Sequence, residues 1–540
     1  MSLNFSGIIR CSEYCNGISE VKIEVLDARG SLGKTLFSDS LGEWELKDIE
    51  ENGYVTFYKE GYLKKEFKVE ELPKIVRLLE VKLIGYQEKL WFRQGEETAV
   101  YVNSSMPFKA SLFRHGLNKE CVLDTGVHEA VEQVVPDSFF VETGLDWKVS
   151  FRYTIPMDAR PGLYSLLLEI EGKEEFAIPF IVSTDTEKSQ GKVLVMASTN
   201  TWQSYNLWGG RSRYRNFEES SSRDFLDQGK TIQLKKRVAK LVPNPLKIKL
   251  KKWLGKTDVG EPWMFKRLTI KRPYTNCMLE GKTPFEPFMN HLAAGEWRLL
   301  AWLERENIPY DIIAGAELNN NSKILENYKS LVFNTHCEYW TRKMYEAVKE
   351  FHENQGGWII NLSGNTMYRE IEFFQDGSTR CISLSFNKSC ADETQLLGVR
   401  YTAEDYGTCA PFKVTMRNHW AFNNISVEKN TLFGNQCLNR AIPKRTERYD
   451  SARSGLQTGL LGAGASGWEM DKLSKTAPKD IKVIAKGQNK NGGADMVVRE
   501  PSNTRGGLFS ASSLVFSSCL LVDEIASGIV RNIMKRALGN

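Results

Sequence analysis

A run of five apolar residues at positions 193–197 most constrains how the C-terminal part of this chain can fold. Such a run is typical of a strand that is buried on both faces. Residues 330–334 and 358–362 are two further strand candidates, and a helix that begins after Thr341 lies between them. Its apolar residues recur at helical spacing. Strand–helix–strand alternation predicts an α/β fold, with a parallel sheet and helices on both faces.

Two strand-rich regions precede this part of the chain. Residues 1–80 contain short alternating strands, a turn with Gly42 and Trp44, and a Lys-x-Gly-Tyr segment that ends at Tyr62. They resemble a transthyretin-like or carboxypeptidase-regulatory β-sandwich. Residues 81–185 have regularly spaced strands and a Pro-Gly turn, which predict an immunoglobulin-like β-sandwich. We therefore expect three domains, at residues 1–80, 81–185 and 190–540.

Composition restricts the cellular setting. No apolar run approaches the roughly 18 residues that a membrane-spanning helix needs, and the N-terminus does not look like a secretion signal. The ten cysteines include no C-x-x-C pair, which argues against a disulfide framework and against a structural zinc site. We expect free thiols and a cytoplasmic protein.

The net charge of +5 is concentrated in one segment, residues 230–256, which holds ten Lys and Arg and no acidic residue. Leucines and isoleucines are interleaved with these charges, so the segment could bind an anionic membrane surface or nucleic acid. The alternative is a solvated insertion of two short helices, separated at Pro243 and Pro245, that forms a lid at the carboxyl edge of the sheet. No nucleic-acid-binding module is present, and we expect no nucleic-acid partner.

Three oxygen-bearing side chains lie in turns where strands should end, namely Tyr339, Tyr368 and Glu469. Ligands of open α/β sheets bind at the carboxyl ends of strands. Two phenols and a carboxylate that converge there would form an anionic pocket for a hard cation. A phenol titrates near pH 10, so only a strongly acidic metal such as ferric iron would hold two phenolates at neutral pH.

The chain from position 201 onward resembles the C-terminal domain of the N,N-dimethylformamidase large (β) subunit family. The resemblance is carried by motifs that occur in order over about 350 residues. They are Thr201 to Tyr214, Arg272-Pro273-Tyr274, His336 to Trp340, Gly364-Asn365 with Tyr368, and residues 465–471, 494–500 and 506–510. The resemblance implies a fold similar to class I glutamine amidotransferases without their cysteine nucleophile.

The same resemblance implies a mononuclear iron held by Tyr339, Tyr368 and Glu469, with Glu500 near the site as a base. Gly467 departs from the family pattern, in which we expect a histidine close to the metal-binding glutamate. Three more side chains could hydrogen-bond the oxyanion that develops during hydrolysis, namely Asn206, Asn365 and His336.

The sequence thus predicts an iron-dependent hydrolase of a non-peptide amide bond, in which metal-activated water attacks the carbonyl. Its substrate would be a small-molecule amide, and it could form an oligomer or bind a small partner subunit. The alternative is a non-catalytic recognition or assembly protein that keeps the same fold. The departure at Gly467, the additional N-terminal region and the basic segment favour that alternative.

Overall fold

The computed structural model describes residues 2–185, 191–218, 261–279, 282–285, 291–439 and 463–539. The basic segment at residues 230–256 lies outside the described residues. Within the described part of the chain, no helix is long and apolar enough to cross a membrane.

The N-terminal region forms two small sheets around one apolar core. Alternate residues of its strands point inward, so that Ile23 and Val25 pack with Trp44 and Leu46. A three-stranded sheet contains, in spatial order, Glu43–Glu50, Ser2–Cys11 and Ile75–Leu78. A four-stranded antiparallel sheet contains Leu32–Phe37, Lys22–Asp27, Gly53–Tyr58 and Lys65–Lys68, and the short 3₁₀ helix Val69–Glu71 follows it.

The second strand-rich region also has two sheets with a shared core, in which Tyr86, Leu112 and Trp147 are buried. The smaller antiparallel sheet contains Phe151–Thr154, Glu97–Asn103 and Ile84–Gln87. The larger sheet contains Lys119–His128, Phe108–His115, Gly162–Ile170, Glu174–Val182 and Trp91–Phe92.

A nine-stranded sheet forms the centre of the C-terminal region. The apolar run is its strand Val193–Ala197, whose alternate residues enter different cores: Val195 packs with one set of helices and Leu194 with another. The spatial order is Asp311–Ala314, Val193–Ala197, Ser330–Thr335, Trp358–Ser363, Leu508–Ser510, Asp495–Arg499, Lys482–Gly487, Phe412–Val414 and Leu432–Phe433. The first five strands are parallel, and each later neighbour is antiparallel.

The predicted fold class is therefore wrong. The described chain is mostly β-structure with many antiparallel sheets, and it is not the parallel-sheet, glutamine amidotransferase-like α/β fold that we expected. The prediction extended the strand–helix–strand pattern of residues 193–363 to the whole C-terminal region. Beyond that stretch, strands such as Lys482–Gly487 and Asp495–Arg499 are joined by short connections, and short connections produce antiparallel pairs.

The helices of the C-terminal region cover both faces of the parallel strands. Thr341 Oγ1 accepts the backbone N–H of Met344 at 3.1 Å and caps the amphipathic helix Arg342–Glu353. The other helices are Thr199–Tyr205, Ala293–Arg305, Gly315–Asn320, Phe386–Ser389, Thr394–Leu397 and Glu524–Leu538, with 3₁₀ turns at Pro262–Phe265, Ser322–Asn327, Trp420–Phe422 and Phe516–Cys519.

Three small sheets extend beyond the carboxyl ends of the parallel strands. They bring the segments around residues 338, 369 and 469 to one side of the molecule. Their strands are Tyr339–Trp340 with Arg369–Phe373 and Thr379–Ser383, Val399–Thr402 with Met470–Leu473, and Cys409–Ala410 with Ser466–Gly467.

Candidate metal centre

Residues in the turns around the cluster have unusual backbone conformations. Thr335, Asn365 and Trp468 have φ values of 54°, 55° and 63°, a left-handed region that non-glycine residues rarely adopt. A Cβ on Gly364 would lie 2.4 Å from the carbonyl oxygen of Glu469, so the two loops touch through their backbones. Such conformations persist only where surrounding contacts hold them, and they concentrate at functional sites.

These loops bring His336, Glu338 and Glu469 together. One ligand atom from each lies within 4.8 Å of the other two, and all three residues are buried. His336 Nε2 is 3.4 Å from Glu338 Oε2 and 3.2 Å from Glu469 Oε2. Two buried carboxylates beside an imidazole are a set of side chains that could hold a metal ion.

Glu338 is surrounded by hydrogen-bond donors. The Tyr214 hydroxyl donates to Oε1 at 2.6 Å, the Tyr205 hydroxyl donates to Oε2 at 3.2 Å, and Arg369 Nε donates to Oε1 at 2.8 Å. The Tyr339 hydroxyl in turn donates to the Tyr214 hydroxyl at 2.9 Å. This network compensates the buried Glu338 charge and links Tyr339 to the cluster.

Glu469 is held by the neighbouring loop. Asn365 Nδ2 donates to Glu469 Oε2 at 2.9 Å, and the Asn365 backbone N–H donates to Asp471 Oδ1 at 2.9 Å. Burial and, to a smaller extent, the nearby Glu469 charge raise the pKa of Asp471 to about 7, although the hydrogen bond from Asn365 opposes this shift. The Glu469 charge is therefore close enough to disfavour the charged form of Asp471.

Two buried histidines face each other beside the carboxylates. The His336 and His291 ring centroids are 5.0 Å apart, and His291 also packs against Trp468 at 4.8 Å. Among the described residues, His336 Nδ1 and His291 Nε2 have no hydrogen-bond partner, and His336 Nε2 has only the two carboxylates beside it. A buried polar atom without a partner is costly. The unpaired nitrogens therefore fit a site that binds a further group, such as a metal ion.

Burial raises the pKa of the phenols in this site well above the usual range. For Tyr339 the next cause is the Glu338 charge, and the same two causes act on Tyr205 and Tyr214. Without a cation beside them, these phenols are therefore protonated at neutral pH. A phenolate at Tyr339 would require a cation beside it.

Tyr368 lies at the rim of this cluster and is half-buried. Its ring packs against Tyr401 with centroids 5.2 Å apart, and the Arg369 guanidinium lies 5.6 Å from the ring. Burial and then the Glu469 charge raise the pKa of Tyr401, which places Glu469 within electrostatic reach of the Tyr401–Tyr368 pair.

The structure does not bring two of the predicted site residues to the cluster. Glu500 follows Asp495–Arg499, and Arg499 pairs with Leu508, so Glu500 lies at the amino edge of the parallel strands. Its side chain bonds Trp420 and lies near His419 and Arg536.

Asn206 is buried close to the loops, but its side chain is occupied by backbone contacts. Its Nδ2 donates to the Pro273 carbonyl at 2.9 Å, and its oxygen accepts the Trp208 N–H at 3.2 Å. These bonds fix the turn that follows the helix Thr199–Tyr205.

The structure gives a steric reason for glycine at position 467, where we expected a histidine. A Cβ at Gly467 would lie 2.3 Å from Cys409 Sγ, and the two residues pair directly across the small sheet. No larger side chain fits there in this backbone arrangement.

Sequence reasoning missed several members of the cluster. Glu338, Tyr205, Tyr214 and Arg369 lie within or beside the motifs that suggested the site, so those motifs contained a signal for them. His291 lies outside every motif, and only the tertiary structure places it beside His336.

Glu296 lies behind the site, and its burial predicts how the stability of the protein depends on pH. It accepts hydrogen bonds from Trp202 Nε1 at 2.7 Å and from the Ser198 N–H at 3.1 Å, and burial raises its pKa from 4.5 to about 8. The folded protein keeps a proton there that the unfolded chain loses above pH 4.5. The free energy of unfolding that this protonated group contributes is therefore fully present below pH 4.5 and is lost as the pH rises to about 8.

We expect the variant Glu296→Gln, which keeps both hydrogen bonds without titrating, to remove this loss. Relative to the variant, wild type should lose about 1.4 kcal/mol of unfolding free energy per pH unit across that window. Urea unfolding of both proteins at several pH values measures the difference. A constant difference across the window would contradict the prediction.

Three solved structures that match this chain are distant and partial likenesses. E. coli alpha-2-macroglobulin has 12% identity over 32% of this chain and 11% of its own, with a TM-score of 0.14. BcpA, the major pilin subunit of Bacillus cereus, has 11% identity over 37% of this chain and 73% of its own, with a TM-score of 0.14. The shaft pilin SpaA from Lactobacillus rhamnosus GG has 6% identity over 34% of this chain and 97% of its own, with a TM-score of 0.13.

These scores are too low to support a conclusion about the site. The chain spans 11% of the length of the macroglobulin. No curated protein matches the chain.

A protein-family comparison gives a much longer match. The family described as "N,N-dimethylformamidase beta subunit-like, C-terminal" matches residues 110–527. The match begins within the second strand-rich region and includes His336, Glu338 and Glu469. Because it covers most of the chain, the suspected relationship is confirmed: the chain belongs to the N,N-dimethylformamidase beta subunit-like family.

Proposed function

We propose that this protein is an iron-dependent hydrolase of a non-peptide amide bond. The observation that carries the proposal is the buried cluster of His336, Glu338 and Glu469, which lies within the family match and to which Tyr339 is linked through Tyr214. Family membership supports amide hydrolysis in general. The iron, the catalytic role and the substrate remain our proposal.

Two donor sets could hold the metal, and Glu469 belongs to both. One set is Tyr339, Tyr368 and Glu469, as the family resemblance implies. The other is His336, Glu338 and Glu469, whose ligand atoms all lie within 4.8 Å of one another. We favour the first set for ferric iron, since Glu338 already accepts hydrogen bonds from Tyr214, Tyr205 and Arg369.

When bound, ferric iron would polarise the amide carbonyl and lower the pKa of a water molecule. His336 would accept a proton at Nε2, which is buried and lies beside both carboxylates, and would return it to the leaving amine. Asn365 would orient Glu469 through its 2.9 Å hydrogen bond. Arg369 would hold Glu338 in place and keep its charge compensated.

The surroundings of the cluster favour a small substrate. The rings of Tyr205 and His291 pack against His336, and Trp468 packs against His291, so aromatic groups lie beside the charged ones. An amide with small apolar substituents suits such a setting better than a charged peptide. The family description includes the words "beta subunit", and we propose that the chain assembles with another subunit.

Iron content and visible absorption of the purified protein test the donor set. Ferric phenolate ligation gives a charge-transfer band, and we expect iron-loaded wild type to show one. Tyr339→Phe should remove or shift the band, and Tyr153→Phe, a buried tyrosine in the second strand-rich region, should not. Iron without a visible band would favour the His336–Glu338–Glu469 set, whereas protein without iron after iron-supplemented growth would contradict the proposal.

A second candidate is a non-catalytic recognition or assembly protein. It is favoured by Gly467, because Cys409 closes the space in which the expected histidine would lie. The assay that separates the candidates is turnover of a broad panel of small amides by the iron-loaded protein. Bound iron with no turnover would favour the non-catalytic protein.

A further inference from the structure

Two cysteines outside the metal centre lie next to each other. The Leu438 N–H donates to the Ser518 carbonyl at 3.1 Å, and Asn439 Nδ2 donates to Ser518 Oγ at 2.9 Å. These bonds place Cys437 beside Cys519, close enough for each thiol to affect the pKa of the other. Cys437 Sγ donates to the Asn439 carbonyl at 4.0 Å, and Cys519 Sγ donates to the Gly434 carbonyl at 3.9 Å. Neither cysteine is in a disulfide bond.

The two thiols have opposite electrostatic settings. The hydrogen bond from Cys519 is the largest cause that lowers the pKa of Cys437 to about 6, and it outweighs partial burial. Full burial raises the pKa of Cys519 well above its usual value, and the facing Cys437 charge raises it further. Cys437 is half-buried and Cys519 is fully buried. The pair thus has the asymmetry of an attacking thiolate and a resolving thiol.

The groups around the pair preserve this asymmetry. Arg298 donates to the Leu438 carbonyl at 3.0 Å and to Asn439 Oδ1 at 3.0 Å, and its positive charge favours a thiolate at Cys437. Asp523 lies on the other side, where its charge disfavours a thiolate at Cys519. Cys409 is also nearby, and burial raises its pKa.

We propose that Cys437 and Cys519 are a reversible redox pair, in which Cys437 is oxidised by hydrogen peroxide and Cys519 then closes a disulfide. The Cys437 thiolate attacks one peroxide oxygen, the O–O bond breaks, and the released hydroxide takes a proton to become water. Cys519 then loses its proton and attacks the Cys437 sulfenic sulfur, which expels hydroxide, and that hydroxide takes the proton. One peroxide is reduced to two waters as two thiols become one disulfide.

The disulfide would join two segments that contact the Glu469 loop. Gly434, just before Cys437, accepts the Ala465 N–H at 2.8 Å. Leu514, just before the 3₁₀ turn Phe516–Cys519, donates its N–H to the Glu469 carbonyl at 3.1 Å. Oxidation would therefore fix the distance between the segments at Gly434 and Leu514, which both contact this loop. The redox pair itself does not depend on the proposed hydrolase activity.

Peptide mass spectrometry of the full chain tests the pair. The starting protein is Cys121→Ser, which removes the exposed thiol and so prevents crosslinks between molecules. After hydrogen peroxide, non-reducing digestion should yield a Cys437–Cys519 peptide that a dithiol reductant separates. Before oxidation, Cys437 should be alkylated faster than Cys519 and Cys409, with the rate rising as the pH increases through about 6.

Two variants separate the roles of the cysteines. Cys519→Ser should stop at a Cys437 sulfenic acid that dimedone traps, and Cys437→Ser should leave Cys519 unoxidised. The matched control Cys409→Ser should still form the disulfide. Native protein in which both thiols stay free at peroxide levels that oxidise an exposed thiol would overturn the proposal, and this measurement needs no variant to fold.

Discussion

Replacing Glu469 with glutamine should abolish metal binding and amide hydrolysis while leaving the fold intact. Glutamine can still accept the Asn365 Nδ2 hydrogen bond, so the loop contact is kept. It lacks the negative charge that Glu469 contributes to either donor set. Since even a group behind the ligands changes metal affinity by about 10–100-fold, we expect loss of a ligand charge to cost at least about 100-fold in affinity and activity.

The measurements are iron content, amide turnover and a thermal unfolding scan of both proteins. Glu97→Gln, a change of an exposed carboxylate in the second strand-rich region, is the matched control and should leave all three unchanged. Full iron content and full turnover in Glu469→Gln would exclude both donor sets.

A companion measurement separates the two candidate proton carriers. Glu500 lies at the amino edge of the parallel strands, and His336 lies within the cluster. Loss of turnover in His336→Gln with retention in Glu500→Gln would support the role that we propose for His336. The reverse result would restore the role that the family resemblance implies for Glu500.

Replacing Arg369 with methionine should strongly destabilise the protein. Arg369 Nε donates to Glu338 Oε1 at 2.8 Å, and only 1% of the Glu338 side chain is exposed. Methionine keeps much of the apolar contact of the arginine stem but leaves Glu338 as a buried charge without its cation. Removal of one partner from a buried ion pair costs about 3–5 kcal/mol. Urea unfolding of wild type and variant measures this loss.

The double variant Arg369→Met with Glu338→Gln identifies the cause. Removal of both charges should recover part of the stability that Arg369→Met alone loses, because no uncompensated charge is then buried. Arg380→Met is the matched control, since its partner Glu372 and Arg380 itself are both well exposed, and it should cost little. A double variant no more stable than Arg369→Met would show that lost packing is the cause.

The sequence alone determined the start of the central sheet and the family. Local patterns are enough for this: the apolar run at Val193–Ala197 requires burial on both faces, and the helix after Thr341 has its cap and apolar face within a few residues. Ordered motifs also identified the family, because they depend on residue identity and order and not on spacing in three dimensions.

The later strands could not be assigned from such patterns. Lys482–Gly487, Asp495–Arg499 and Phe412–Val414 are short, and their direction depends on which neighbours they pair with across long stretches of chain. The sequence therefore predicted a parallel sheet where antiparallel pairs occur.

The tertiary structure alone decided which side chains surround the candidate metal. Glu338 was adjacent to a predicted ligand in the sequence, but only folding shows that it lies beside Glu469, more than a hundred residues away. His291 and Cys519 carry no local signal, because each acquires its role from a partner brought in by a different segment. A sequence pattern can predict that a side chain lies at the end of a strand. Its burial, the compensation of its charge and its distance from other loops depend on how the whole chain packs.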